Sequence, residues 1–291
     1  MSFLNLYDLR ESTSIIAFTG QDAANFLQGQ VTCDVLAIEQ NNSTLGALCN
    51  PKGRVISNFQ LTNTGDSYLM LVPREMAELV IKRLKVFVFR SKVSIDDVSD
   101  KLNCFACSSD IPNALHETLS ASTNIPIAGA TDLQKIICSN QHAQSIQANE
   151  GIKISSSHDW QLELTAACYP EITLATTELF IPQMLNLDLL NAISFQKGCY
   201  TGQEIIARMH YKGSVKRRLV SYTSNKQHLA GDEIHQLNID NSIGTIISSL
   251  STDDSQFFGL AVLKVNTPYD TAIILSDNSE ITLQLAKYTL D

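Results

Sequence analysis

Long apolar runs are missing from this chain. Across its 291 residues no stretch approaches the ~18 uninterrupted apolar residues of a membrane-spanning helix. Met1-Ser2-Phe3-Leu4-Asn5 carries no basic segment leading into an apolar one, so neither a membrane span nor a signal peptide is expected. Positive charge is also scarce: 21 Lys and Arg stand against 30 Asp and Glu, a net charge of −9. That balance argues against broad electrostatic binding to nucleic acid, DNA included, or to an anionic membrane. Common site signatures are absent: no G-x-x-x-x-G-K-S/T phosphate loop, no G-x-G-x-x-G after a strand, no H-E-x-x-H and no G-x-S-x-G. The six histidines are isolated, and no intrinsic metal is expected. Tryptophan occurs once, at Trp160; a lone Trp beside a helix start is usually core, and is also the best stacking surface here for a planar heterocycle.

The seven cysteines are odd in number and widely scattered, a pattern of reduced thiols rather than of a disulfide framework, which points to the cytoplasm. Cys104-Phe105-Ala106-Cys107 spells C-x-x-C, but in a run that reads as a strand its two cysteines face opposite sides, and no second cysteine pair completes a zinc site.

The stretch richest in chemistry is Lys197-Gly198-Cys199-Tyr200-Thr201-Gly202-Gln203-Glu204. It reads as a tight loop opening a helix that continues through Ile205, Ile206 and Met209. Gly198 is expected to turn where a Cβ would clash, and Gly202 to admit a close neighbour. Thr201 and Glu204 have the spacing of a capping box, and Glu204 and Arg208 that of an i,i+4 pair. Cys199 then stands before a helix start with Lys197 two residues away, and both favour its thiolate. The plain alternative is a small buried cysteine beside an ordinary cap. Downstream, Arg208, Lys212, Lys216, Arg217 and Arg218 form a local basic cluster, either a solvated face or the seat of a polyanionic tail.

Along the chain, Ile15–Phe18 reads as a strand and Gln21–Gln30 as a helix. Thr44–Cys49 and Arg54–Leu61 form a hairpin around the turn Asn50-Pro51-Lys52-Gly53. Ser67–Val72 is a further strand, and Pro73 opens a helix that buries Met76, Leu79, Val80 and Leu84. Val86–Phe89, Lys92–Ile95, Cys104–Ser108 and Lys135–Cys138 have strand character, and a helix is expected after Ile111-Pro112. Trp160–Ala167 reads as a helix behind the cap-rich Ser155–Asp159, and Leu187–Ile193 as an apolar, helix-like segment. Beyond Lys216 come short strands at Leu219–Thr223, Glu233–Leu237, Ser242–Ser249, Phe257–Val265 and Ile281–Tyr288, the pattern of a small barrel or sandwich. Strands and helices do not alternate strictly, so the fold class is α+β, not a doubly wound parallel sheet. The length fits two or three domains, and the change of texture divides the chain at 1–213 and 214–291.

The eight-residue run 197–204 resembles the K-G-C-Y-x-G-Q-E signature of the YgfZ-type folate-binding proteins, relatives of the glycine-cleavage T-protein, an aminomethyltransferase. The resemblance extends to Phe180-Ile181-Pro182-Gln183, Asn186-Leu187, Ala207-Arg208 and Lys216-Arg217. It also covers Thr19–Ala23, the run Leu27-Gln28-Gly29-Gln30-Val31-Thr32-Cys33-Asp34, and the hairpin Asn50–Arg54. It implies a T-protein-like fold: two interwoven α+β domains around a folate-sized channel, then a C-terminal β-barrel. It implies tetrahydrofolate, or a one-carbon derivative of it, as ligand. It further implies a role in supporting iron–sulfur enzymes or assembly proteins, among them those that thiolate tRNA, with tRNA affected through these partners. By position, Trp160 falls on one folate-contacting tryptophan and Thr13 stands where the family has another; Asn186 joins them as a folate contact. In this reading Cys199 sits at the channel mouth, Lys197 holds it near thiolate, Thr201 and Glu204 fix the loop, and Arg208 buttresses Glu204. The resemblance assigns no residue to the T-protein's catalytic aspartate. Two alternatives stand beside it: aminomethyl transfer to tetrahydrofolate, and direct binding of tRNA or a protein through Arg208–Arg218.

Overall fold

The computed structural model describes residues 4–108, 122–268 and 272–284. Strand β1 (Leu4–Asp8) is followed by β2 (Thr13–Thr19), helix α1 (Ala23–Gln28), the hairpin β3 (Ser43–Cys49) and β4 (Val55–Asn63), and β5 (Ser67–Pro73). Helix α2 (Ala77–Lys85) leads into β6 (Ser94–Asp97). Next come β7 (Leu102–Ser108), β8 (Thr123–Ile127), β9 (Ala130–Ser139), α3 (Asn140–Gln147) and β10 (Ile152–Ser155). Strands β2–β6 make one antiparallel sheet in the order β3-β4-β5-β2-β6. The other sheet runs β10-β1-β7-β9-β8, with β1 parallel to β10 and antiparallel to β7. The chain thus starts in one sheet, builds the whole of the other, and returns to finish the first. That is the interweaving of two α+β units.

Side-chain alternation explains the layering. In β2, Ile15 and Ala17 face a core shared by both sheets, while Ile16 and Phe18 face a second core under α1 and α2. In β5, Leu69 and Leu71 face the shared core and Met70 and Val72 the outer one. Cys104 and Ala106 of β7 face the shared core, and Phe105 and Cys107 an outer core with Ala143 and Ile146 of α3. The C-x-x-C pair is therefore split across a sheet. The shared core also receives helix α4 (Ser157–Ala166), the segment around 169–206, and Leu219, Ile247, Leu260 and Val262.

After helix α5 (Gln203–Lys212) the chain forms β11 (Arg217–Ser224), β12 (Glu233–Ile234), β13 (Gly244–Ser251), β14 (Phe257–Lys264), β15 (Ala272–Ile274) and β16 (Glu280–Gln284). They form an antiparallel sheet in the order β12-β13-β14-β11-β16-β15. Its two edges meet: Gln236 bridges Leu275, and the Leu237 and Ser276 N–H groups donate to the Ile274 and His235 carbonyls, both at 2.9 Å. The curled sheet closes into a barrel around its own core.

Several expectations need correction. Val86–Phe89 joins no strand; its Phe87 and Val88 N–H groups turn back to Leu84 and Lys85 carbonyls at 3.0 and 3.2 Å. Leu187–Ile193 is a series of turns, not a helix, following a 3-10 turn at Pro182–Leu185 that ends with Asn186 in the left-handed region at φ 57°. Strands β1, β10 and β15 and helix α3 lacked a periodicity long enough to read. The helix expected after Ile111-Pro112 and the end of Ile281–Tyr288 lie outside the described residues. Among the described residues no helix is long and apolar enough to cross a membrane.

Candidate functional site

Three motifs far apart in sequence meet at the loop 197–204. The Lys197 side chain is buried, and its Nζ donates to the carbonyls of Val31 and Cys33 at 2.9 and 2.7 Å. It also lies 5.2 Å from the ring centroid of Tyr200, a cation–π contact. Burial lowers its pKa to about 8, with Cys33 and Asp34 pulling the other way. Lys197 makes no hydrogen bond to the Cys199 sulfur; the cysteine beside its ammonium is the buried Cys33. The expected support of a Cys199 thiolate by Lys197 is thus corrected: the ammonium is buried against the cost of desolvation, and the Val31 and Cys33 carbonyls that accept from it offset that cost.

Thr32 completes this junction. Its hydroxyl donates to the Ala192 carbonyl at 2.7 Å and accepts from the Ala47 N–H at 2.9 Å, while its carbonyl accepts from the Ser194 N–H at 2.9 Å. Nothing in the local pattern distinguishes Thr32 from the rest of the Leu27–Asp34 run. Its total burial beside a turn is what gives it a role.

The start of α5 departs from the expected capping box. Gly202 is the N-cap, with φ 85° and no side-chain cap bond, and the helix begins at Gln203. A Cβ on Gly202 would stand 2.6 Å from the Asn50 carbonyl oxygen and 3.1 Å from Gly53 Cα. The close approach of the Asn50–Gly53 turn therefore demands glycine at this position, and it moves Thr201 one residue out of the helix. Glu204, in the first turn, still suits the positive helix end. Glu204 and Arg208 are both exposed and form no ion pair with each other among the described residues. The capping box appears instead at α4, where the Ser156 hydroxyl accepts from the Asp159 N–H at 3.2 Å and the Asp159 carboxylate accepts from the Ser156 N–H at 3.2 Å. Gly198 is not sterically required, because nothing lies within 4 Å of a Cβ built on it.

Cys199 is exposed, and the other six cysteines are buried. Tyr200 is buried; its hydroxyl has no hydrogen-bond partner among the described residues, and burial raises its pKa. Behind the loop, Gln183 Nε2 donates to the Ile206 carbonyl at 2.8 Å. Asn186 is fully buried, and its Nδ2 donates to the Leu219 carbonyl of β11 at 2.9 Å, tying the 3-10 turn to the barrel. Two members of the basic cluster are engaged within the fold, and a nearby histidine is stacked. Arg218 is held by Asp188 at 2.6 Å and is 11% exposed, Arg217 reaches the Ser242 carbonyl at 3.5 Å, and His210 stacks on Phe195 with centroids 3.8 Å apart.

A second feature lies near Trp160 and Thr13, though neither side chain lines it. Trp160 is 2% exposed, packs against Tyr7 with ring centroids 5.4 Å apart, and leaves its Nε1 without a partner among the described residues. Thr13 is buried opposite Pro73 in the β2–β5 ladder. The neighbours of both, Gln161 and Leu164 on one side and Ser12 and Pro73 on the other, line a cavity of about 510 Å3 between the α+β units and the barrel. Its floor includes Tyr169, Ile247 and Leu260, and Arg74, Glu75, Glu171 and His228 also border it. Burial depresses the His228 pKa, which favours the neutral imidazole. Of the residues expected at the folate site, none lines this cavity: Trp160 and Thr13 lie behind it, and Asn186 and Cys199 are not part of its wall. Among the described residues no group of three or more His, Cys, Asp or Glu side chains could hold a metal ion.

No family model matches the chain. It is 31% identical over 294 residues to the tRNA-modifying protein YgfZ of Colwellia psychrerythraea, covering 94% of this chain and 90% of that one. It is 33% identical over 287 residues to the tRNA-modifying protein YgfZ of Vibrio atlanticus, covering 92% and 86%. Its fold matches the glycine cleavage system aminomethyltransferase T from Bartonella henselae with a TM-score of 0.77 and 15% identity, over 98% of this chain and 86% of that one. At that identity the second likeness is one of fold, the T-protein architecture of interwoven α+β units and a barrel. With about a third of its residues shared with proteins that it spans almost end to end, the chain belongs to the YgfZ family of tRNA-modifying proteins.

Proposed function

We propose that this protein binds tetrahydrofolate, or a one-carbon derivative of it, and acts in the cytoplasm as an accessory protein to iron–sulfur enzymes or assembly proteins, among them those that thiolate tRNA. The observation that carries the reading is the cavity of about 510 Å3 bordered by the neighbours of Trp160 and Thr13. Its size is that of small-molecule sites, and its apolar floor with a polar rim suits a flat heterocycle bearing a charged tail. With Thr13 in place of an aromatic ring, Tyr169 is the aromatic surface left lining the cavity. The tail carboxylates would meet Arg74 at the rim. Cys199 supplies the exposed thiol, held on a loop that Lys197, Thr32 and Gly202 tie to the rest of the fold. A single cysteine offers one ligand, so any bridged cluster would need a partner's thiols.

Isothermal titration with tetrahydrofolate and its 5-formyl form tests the binding; no heat at high micromolar ligand would overturn it. In a deletion strain, Cys199→Ala is expected to abolish rescue of tRNA thiolation. Full rescue would reduce the loop to a structural element.

A second reading, aminomethyl transfer to tetrahydrofolate, is favoured by the T-protein fold. It needs a carboxylate facing the ligand. At the cavity, Glu171 is paired with Lys135 at 3.2 Å and Glu75 accepts the Leu174 N–H at 3.1 Å. Formation of methylenetetrahydrofolate from an aminomethyl carrier would establish this reading over the accessory one.

A further inference from the structure

The run Lys82-Arg83-Leu84-Lys85-Val86-Phe87-Val88-Phe89-Arg90-Ser91-Lys92 carries five cations and no carboxylate, in a chain of net charge −9. Its first four residues close helix α2, and Val86–Phe89 after them has the composition of a strand but pairs with none. Leu84 anchors its start in the outer core under α2, and the end passes into β6. Between them Val86 is 65%, Phe87 42% and Phe89 84% exposed, Phe89 more than any other large apolar side chain among the described residues. Isolated apolar residues on a surface are ordinary, but contiguous ones mark an interaction site. Two of the cations are neutralised locally, Lys82 by Glu78 at 2.5 Å and Arg83 by Glu178 at 3.0 Å. Lys85, Arg90 and Lys92 have no ion-pair partner among the described residues and bracket the two rings. Asp22 accepts from the Lys92 backbone N–H at 2.7 Å and leaves the Lys92 ammonium unpaired among the described residues.

We propose that residues 85–92 form a docking finger for single-stranded RNA, with bases stacking on Phe87 and Phe89 and phosphates meeting Lys85, Arg90 and Lys92. Stacking on aromatic rings between cations is how unpaired strands are held without sequence preference, and a duplex would hide its base faces. A membrane-surface anchor calls for a broad apolar face along a helix, whereas this apolar tip is three side chains at a turn. A stable second copy needs about 800 Å2 per partner, more than three side chains can offer. Helix α2, from which the finger extends, connects to the Cys199 loop through a chain of contacts. Arg83 pairs with Glu178, the adjacent Leu179 carbonyl accepts from Arg54, and Gly53 lies against Ile205 in the first turn of α5. The proposal goes beyond the folate reading and does not depend on it.

The test uses the full chain and fluorescence anisotropy with a fluorescein-labelled, uridine-rich single strand of about 12 nucleotides, near the site size of one binding module, beside a duplex of equal length. The single strand is expected to bind more tightly. Phe87→Ala with Phe89→Ala should weaken it about 100-fold, roughly tenfold per ring, and leave its salt dependence unchanged. Lys85→Gln, Arg90→Gln and Lys92→Gln together should flatten the slope of log affinity against log salt by about two, at ~0.7 per phosphate contact. These side chains are surface-exposed, so folding should be retained, and titration of the variants with tetrahydrofolate should match that of the parent. The proposal fails if the parent does not bind the strand, or if either variant binds as the parent does. It also fails if the finger variants lose only adhesion to phosphatidylglycerol vesicles, or only a concentration-dependent dimer.

Discussion

Gly202 lies so close to Asn50 that a methyl group placed on it would stand 2.6 Å from the Asn50 carbonyl oxygen. The contact joins the Asn50–Gly53 turn to the loop that presents Cys199. Gly202 also sits at φ 85°, where an L side chain costs about 1–2 kcal/mol before any contact is counted. Gly202→Ala is therefore expected to destabilise the protein by more than ~2 kcal/mol in urea unfolding. Gly198→Ala, with no atom within 4 Å of the new methyl, should lie within about 0.5 kcal/mol of the parent. Equal effects at the two glycines would contradict the packing described.

One thiol in seven is exposed. Burial pushes Cys33 and Cys104 up to about 12 and Cys107 and Cys138 up to about 11, which keeps them as unreactive thiols at neutral pH. Ellman's reagent should modify a single cysteine in the native protein and all of them in guanidinium. Cys199→Ser should leave none reactive without denaturant.

Lys197 gives a pH signature. Its ammonium releases its proton near pH 8 in the native state and near 10.5 when unfolded. Between those values unfolding takes up a proton, so the parent should gain stability over Lys197→Met as pH rises through that window, by at most ~1.4 kcal/mol per pH unit. Below pH 8 both states are protonated and the difference should be flat. Chemical denaturation from pH 7 to 10 checks it; a difference that shrinks as pH rises would contradict it.

Asn58 of β4 is buried, its Nδ2 donating to the Pro170 carbonyl at 2.8 Å and its Oδ1 accepting the Ile172 N–H at 2.9 Å. Replacing it with Ala leaves two backbone groups without partners in the shared core, at roughly 1–3 kcal/mol each. Asn58→Ala is expected to lower the urea midpoint accordingly with the m-value unchanged.

The sequence was most legible where one physical rule dominated. Short apolar runs placed Ile15–Phe18 and Cys104–Ser108 on strands, and the alternation of facing along a strand separated Cys104 from Cys107. Turn chemistry found the Asn50–Gly53 hairpin, and Ser155–Asp159 announced a capped helix that the structure starts at Ser157. Tertiary contact defeated the local rules elsewhere. Thr201 and Glu204 have capping spacing, but the turn pressed against Gly202 shifts the helix start. Val86–Phe89 has strand composition, but β2 takes its neighbour from Ser94–Asp97 instead. Lys197 stands beside Cys199 in sequence, yet its ammonium answers to carbonyls contributed by Val31 and Cys33, a relation no local pattern encodes.

The parallel pairing of Leu4 with Ile152 imposes an order on assembly during synthesis. When β1 leaves the ribosome, none of its sheet partners exists, whereas β2–β6 form a sheet from the contiguous stretch 13–97. That inner unit can assemble while the chain is still growing. The sheet begun by β1 must wait for β7 and then β10, leaving an apolar edge strand uncovered in the interval. Nascent-chain proteolysis should find β2–β6 protected well before β1. A strand made ahead of all its partners would be among the last to find its place.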